Sequence, residues 1–211
     1  MTSICSNPPI RSHPPTRSHH PAPSRPVVAV IGPSAVGKST VVRALQAEGL
    51  VRVHPTWTTR PRRRGEVPPD VEHRFVTDAV FDAWERAGYF AAVASLPGLP
   101  HRYALPVLTP TGRGAVDVVV ARAAAVPMLA GLVPALVVYQ IEDDRDRVAD
   151  RLAARGLSAA EVAARLGSFE PERRAGRRIA DRVLVNDDQP ADLADELARA
   201  LAADVDLRRA S

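Results

Sequence analysis

The run Gly32-Pro33-Ser34-Ala35-Val36-Gly37-Lys38-Ser39-Thr40, directly behind the apolar stretch Val27–Ile31, constrains this chain more than any other part of it. Its first eight residues fit G-x-x-x-x-G-K-[ST], in which backbone N–H groups of a glycine-rich turn wrap phosphate oxygens. The chemistry needs a buried strand before the turn and a helix after it, so that the helix N-terminus adds its partial positive charge. Both are readable here. Val27–Ile31 is too short and too apolar for a surface element, and a helix from Ser39 would carry Val41, Val42 and Leu45 on one side and stop at Gly49. Lys38 would reach the β- and γ-phosphates of ATP and the Ser39 hydroxyl would hold Mg²⁺, with Gly32 to Thr40 as the nucleotide-contact set. Lys38 is also the only lysine among 28 Lys and Arg residues. A compact ammonium fits a tight backbone nest where a planar guanidinium does not.

Composition narrows the class. The 211 residues suit one α/β domain behind an unusual N-terminus: residues 1–26 hold seven of the twenty prolines, three arginines and no acid. Such a segment buries too little apolar surface to offset the entropy of ordering it, and it lacks the apolar core of a secretory signal. Its arginines supply three of the formal +4 charges, so the remainder, near +1, gives no nucleic-acid footprint. A single cysteine, Cys5, excludes an intramolecular disulfide. With no apolar run of membrane-spanning length, the expected setting is cytoplasmic and no membrane partner is expected.

Further along, 51–54 reads as a strand. Thr56-Trp57-Thr58-Thr59-Arg60-Pro61-Arg62-Arg63-Arg64-Gly65-Glu66 reads as an exposed cationic loop, because prolines and crowded arginines oppose a helix. A small strand at Phe75 and Val76 precedes a helix capped by Thr77 with Asp78 in its first turn. Strands follow at 89–96, 117–121 and 135–141, with a helix over 122–132 and another from Glu142 to Gly156. Ser158-x-x-Glu161 is a capping box, Arg182–Asn186 the last strand, and Pro190 opens a closing helix with Leu193, Leu197 and Leu201 on one face. Strands alternating with helices predict a parallel sheet wound on both sides. Asp143 and Asp144 read as the first residues of a helix. Asp117, at the start of its strand, points away from the carboxyl ends where ligands bind.

The order of these parts resembles the guanylate kinases. That family carries T-T-R-x-x-R-x-G-E behind its phosphate loop, met by Thr58, Thr59, Arg60, Arg63, Gly65 and Glu66. It has an arginine-bearing lid and an N-D-D near the C-terminus, met by Asn186-Asp187-Asp188. The resemblance runs from about residue 27 to 201. It implies a three-layer α/β/α P-loop fold with a central parallel sheet, an acceptor-binding segment at about 54–106 and a lid at about 151–178. The domain spans 27–205, with 206–211 as a tail. It implies transfer of the ATP γ-phosphate to a small phosphorylated acceptor, GMP in this family. Arg60 and Arg63 would clamp the acceptor's phosphate, which also makes sense as neutralisation of two anions brought together. By the same resemblance Thr56, His73 and Tyr103 complete the acceptor site, Arg155 meets ATP, and Arg165 is a catalytic arginine finger beside Lys38. Arg173, Arg174, Arg177 and Arg178 would lie on a solvated helix face.

The chain departs from the family at the positions that read guanine. Ala92 stands where the family has glutamate, Ala123 where it has a strand-end aspartate, Tyr103-Ala104-Leu105 replaces Y-G-[TS], and His73 replaces a tyrosine. Two alternatives follow: a ribose 1,5-bisphosphate phosphokinase of the same architecture, making PRPP from a phosphosugar, and a non-catalytic module of this fold that binds a nucleotide or protein.

Overall fold

The computed structural model describes residues 26–62, 72–95, 100–108, 114–133, 135–187 and 189–210. Nine strands are described: β1 (Val27–Ile31), β2 (Val51–Val53), β3 (Thr56–Thr58), β4 (His73–Phe75), β5 (Phe90–Ser95), β6 (Arg102–Pro106), β7 (Val116–Val120), β8 (Leu136–Asp143) and β9 (Arg182–Asn186). The helices are α1 (Lys38–Ala47), α2 (Asp78–Arg86), α3 (Val126–Ala130), α4 (Arg145–Ala154), α5 (Ala159–Gly167), α6 (Phe169–Arg177) and α7 (Pro190–Ala210).

A five-stranded sheet in the order β2-β7-β1-β8-β9 is parallel throughout. With β1 at its centre, the strand is buried on both faces, which is why its sequence is apolar without alternation. Val28 and Val30 meet Val41, Val42 and Leu45 of α1 and the layer of α4 and α7, while Val27, Ala29 and Ile31 meet Ala123, Val126 and Leu129. These two cores make the three layers expected from the sequence. Helix α7 runs to Ala210, past the expected domain end at 205.

A second sheet, β4-β3-β6-β5, stands at the carboxyl edge of the first. It is mixed, with β3 parallel to β4 and antiparallel to β6. Against it packs α2, capped by Thr77 Oγ1 accepting from the Val80 amide. Aromatic residues, only 4% of the chain, gather here: Trp57 and Trp84 lie 5.1 Å apart between ring centroids, and Trp84 and Tyr89 4.3 Å. Such pairs add to burial in a core too small for many aliphatic side chains. Leu105 of β6 and Leu108 enter the apolar layer under β1, so the two sheets share one seam.

Several expectations are corrected. The expected helix over 122–132 is a 3₁₀ turn (Ala123–Ala125) followed by α3, because Pro127 sits in the first turn of a new helix, where its missing N–H costs nothing. The helix expected from Glu142 begins only at Arg145: Glu142 and Asp143 extend β8, where β9 supplies ladder partners Val185 and Asn186. Asp144 is the N-cap, accepting from the amides of Asp146 and Arg147, whereas Asp143 is buried and accepts from Arg147 and Arg151 side chains. Strands β3 and β6 had no reading of their own in the sequence. The start of the expected cationic loop is therefore not exposed loop: Thr56–Thr58 is β3, and Arg60 is only 5% exposed.

Candidate active site

The glycine loop between β1 and α1 is shaped by close approaches that exclude larger residues. A Cβ on Gly32 (φ +141°) would lie 2.2 Å from the Ile141 carbonyl oxygen of β8, and one on Gly37 (φ +105°) 2.7 Å from Asn186 Nδ2. The loop's carbonyls are tied down from outside. Asn186 Nδ2 donates to the Val36 carbonyl at 3.0 Å and Arg151 Nη1 to the Ala35 carbonyl at 3.1 Å. Arg151 is itself oriented by Asp143 at 2.5 Å. With those carbonyls held outward, the loop's N–H groups are left to face an anion. The asparagine of Asn186-Asp187-Asp188 thus acts as a buttress from the end of β9; Asp188 lies outside the described residues.

Lys38 curls back over the loop, donating from Nζ to the carbonyls of Gly32 (2.9 Å) and Pro33 (2.8 Å). Burial lowers its pKa below that of an ordinary lysine, and the negative charges of Glu72 and Glu172 oppose that shift. Ser39, at the start of α1, donates its hydroxyl to Glu72 Oε1 on the segment entering β4. Thr40 is exposed on the next turn.

Across from the loop the second sheet presents its own polar face. Thr56 Oγ1 donates to the Glu72 carbonyl (3.0 Å) and lies 2.8 Å from His73 Nδ1. The Arg60 guanidinium sits 4.9 Å from the centre of the Phe75 ring and donates to the Pro61 carbonyl, while Arg62 stacks on Phe75 at 4.4 Å. A buried guanidinium placed this way is pre-oriented for a bidentate anion contact. One cleft is lined by Gly32, Ser34, Lys38, Thr56, Arg60, His73 and Tyr103 together. The structure therefore brings the phosphate loop and four of the acceptor residues expected from the sequence to one space. Arg63 lies outside the described residues, as do Gly65 and Glu66.

The lid residues are placed differently. Arg155 is the exposed C-cap of α4, near enough to Lys38 to lower its pKa, and Arg165 is half-buried in the last turn of α5; neither lines the cleft. Arg173 and Arg177 are not on a purely solvated face, as expected from their spacing. Both bond the buried Glu142 at the end of β8, at 2.8 Å and 2.5–2.6 Å, which pins α6 to the sheet.

Three charged cleft residues were not among the site residues expected from the sequence: Glu72, Arg122 and Glu172. Arg122, just past β7, makes two 2.9 Å bonds to Glu172 of α6. Ala92 lies in β5 and Ala123 is packed into the core, so neither position brings an acid to the cleft. The sequence gives little signal for Glu172, one of two acids beside three arginines on α6. The partner that turns it inward is fifty residues away.

A parallel sheet with a lysine-bearing glycine loop at its carboxyl edge, and an arginine-bearing second sheet facing that loop, defines a P-loop phosphotransferase. No protein-family model matches the chain. A guanylate kinase of Symbiobacterium thermophilum is 35% identical over 190 residues, covering 85% of this chain and 84% of that protein. One from Mycolicibacterium paratuberculosis is 36% identical over 76% and 74%, and one from Nocardia farcinica 36% over 77% and 86%. The crystal structure of guanylate kinase from Anaplasma phagocytophilum, 18% identical, has the same fold, with a TM-score of 0.59 over 88% of each chain. The chain belongs to the guanylate kinase family.

Proposed function

We propose that this protein transfers the γ-phosphate of ATP to GMP, releasing ADP and GDP. The observation that carries it is the opposition of Lys38 and Arg60 across one cleft, on a chain whose relatives along most of its length are guanylate kinases. ATP phosphates enter the glycine loop, and the Lys38 ammonium exchanges the Gly32 and Pro33 carbonyls for β- and γ-oxygens. A lysine whose proton is loosened by burial regains full charge stabilisation from a triphosphate beside it. Thr56 sets its hydroxyl against the base, His73 and Tyr103 complete the acceptor site, and Arg60 and Arg63 hold the GMP phosphate. One of its oxygens forms the new bond to the γ-phosphorus while the bond from that phosphorus to the β-bridging oxygen breaks, leaving ADP. Ser39, a hard oxygen donor at the start of α1, suits Mg²⁺, which when bound neutralises charge on the β- and γ-oxygens. Arg155 and Arg165, outside the cleft as it stands, are the residues that closure would bring to the phosphates. A cytoplasmic setting belongs to this proposal, since ATP and GMP are its substrates. Among the described residues no helix is long and apolar enough to cross a membrane.

The relatives give no support to the phosphosugar or non-catalytic alternatives. The test is turnover by purified protein with ATP, Mg²⁺ and, separately, GMP, dGMP, AMP, UMP and ribose 1,5-bisphosphate. ADP release fastest with GMP, and lost in Lys38→Met, is expected. Release with ribose 1,5-bisphosphate alone overturns the reading.

A further inference from the structure

We infer that Glu72 is a carboxylate ligand of the nucleotide-bound Mg²⁺, reaching it from the acceptor sheet rather than from the end of a core strand. The inference rests on the ATP-binding reading above and adds a residue to it.

The argument starts from what Mg²⁺ requires. It takes hard oxygen ligands, and in phosphotransfer sites one or two protein oxygens complete a shell made mostly of phosphate oxygens and water. Among the described residues no cluster of three or more His, Cys, Asp or Glu could hold a metal unaided, so the protein's share must be of this small kind. The Ser39 hydroxyl supplies one oxygen. A carboxylate would ordinarily come from the carboxyl end of a strand beside the loop, and each such end is otherwise used. Strand β7 ends in Val120, followed by Ala121 and by Arg122, which brings a cation. At the end of β8, Glu142 is bound by Arg173 and Arg177, and Asp143 by Arg147 and Arg151. β9 ends in Asn186, whose amide holds Val36.

Of the two carboxylates that line the cleft, Glu172 is held through both oxygens by Arg122, and Glu72 is the one in contact with Ser39. Its Oε1 accepts from Ser39 Oγ, its charge bears on Lys38, and it lines the cleft with Lys38. Two bonds from Thr56 of β3 hold it there. The Thr56 hydroxyl donates to its carbonyl, and the Thr56 amide donates to the same oxygen at 2.9 Å, fixing the backbone to β3. A hydroxyl and a carboxylate oxygen in direct contact beside a phosphate-binding ammonium form a pair of hard oxygens that a small cation would bridge. Because Glu72 is followed directly by His73 of the acceptor site, the same ligand would couple metal loading to the position of the acceptor sheet.

Glu72→Gln tests this, since its amide oxygen still accepts from Ser39 but carries no charge. Mn²⁺ is titrated, with its free-ion electron paramagnetic resonance signal as readout, into protein saturated with a non-hydrolysable ATP analogue. The variant should bind Mn²⁺ at least tenfold more weakly than wild type, while its affinity for the analogue in EDTA stays within twofold; changes in first- and outer-shell partners have effects of this size. Glu72→Asp should recover part of the loss. Equal Mn²⁺ affinity in wild type and Glu72→Gln overturns the inference, as does a loss in Glu72→Gln matched by equal loss of metal-free analogue binding. Wild-type protein that binds no analogue at all refutes instead the ATP-binding reading on which this rests.

Discussion

Replacing Glu142 by glutamine isolates what holds the lid-side helix α6 to the sheet. The Glu142 side chain is 3% exposed and accepts four hydrogen bonds. Oε1 takes Gln140 Nε2 (2.6 Å) and Arg177 Nε (2.5 Å); Oε2 takes Arg173 Nε (2.8 Å) and Arg177 Nη2 (2.6 Å). A glutamine keeps one oxygen and turns the other into an NH₂ that faces donors, so two of the four bonds go, at least one of them from an arginine, and those left lose the acceptor's charge. At roughly 1.5 kcal/mol each, reduced because both arginine heads reach water, the loss is about 2–3 kcal/mol. For a chain of this size that lowers Tm by about 4–12 °C. The pH dependence gives an independent check. Burial pushes the Glu142 pKa up, but hydrogen bonds from Arg177, Arg173 and Gln140 outweigh it and hold the net value below the usual 4.5. Its contribution is therefore complete above the unfolded-state value and disappears as pH falls through the native one. Urea unfolding of wild type and E142Q between pH 7 and 3 should show two stability curves that converge in acid. A difference under about 1 kcal/mol at pH 7, or a gap that stays constant into acid, would refute the reasoning.

Arg60→Ala should raise the KM for GMP at least tenfold with ATP binding nearly unchanged, read from initial rates with each substrate varied; an unaltered GMP KM removes the clamp assignment. Gly32→Ala should weaken ATP-analogue binding at least tenfold, since the added Cβ meets the Ile141 carbonyl at 2.2 Å and forces the loop to shift. Isothermal titration decides it, and unchanged affinity would show the loop to be more plastic than drawn. Asp117→Asn, which disrupts the contacts of Arg52 (2.7 Å) and His54 (2.8 Å) at the far end of β7, should cost about 1–3 kcal/mol in stability and leave both KM values within twofold. A changed KM there would mean that the two ends of the strand are coupled.

Much of this was legible from local pattern. Strand β1, the glycine turn and α1 follow from one continuous motif, and the caps at Thr77 and Ser158 from side chains that bond their own helices. What the sequence hid depends on partners distant in the chain. Glu142 and Asp143 look like the acidic first turn of a helix, and only the β9 ladder makes them strand. Arg173 and Arg177 look solvated until Glu142 is placed beneath them. Arg60 reads as part of a charged loop because proline and arginine dominate its neighbourhood, yet β3 and the Phe75 ring bury it. The same applies to Glu72: nothing within ten residues of it shows that Ser39 is its partner.

These hidden contacts divide the site into halves of different character. On the donor side every anchor of the glycine loop comes from the parallel sheet or the helices fixed to it: Asn186 from β9, Arg151 from α4, and the backbone of β8 against Gly32. That half is preformed, and its grip on a triphosphate does not depend on which acceptor follows. The acceptor half is a small mixed sheet joined to the core through Leu105 and Leu108, the His54 amide on the Val118 carbonyl, and the Ser39–Glu72 contact. Of these joints only the last includes a side chain that lines the cleft, Glu72, so it is the one that bound ligands can reach. Charge entering beside Ser39 acts directly on that hydroxyl–carboxylate pair, whereas the apolar and backbone joints of the same sheet stay out of its reach.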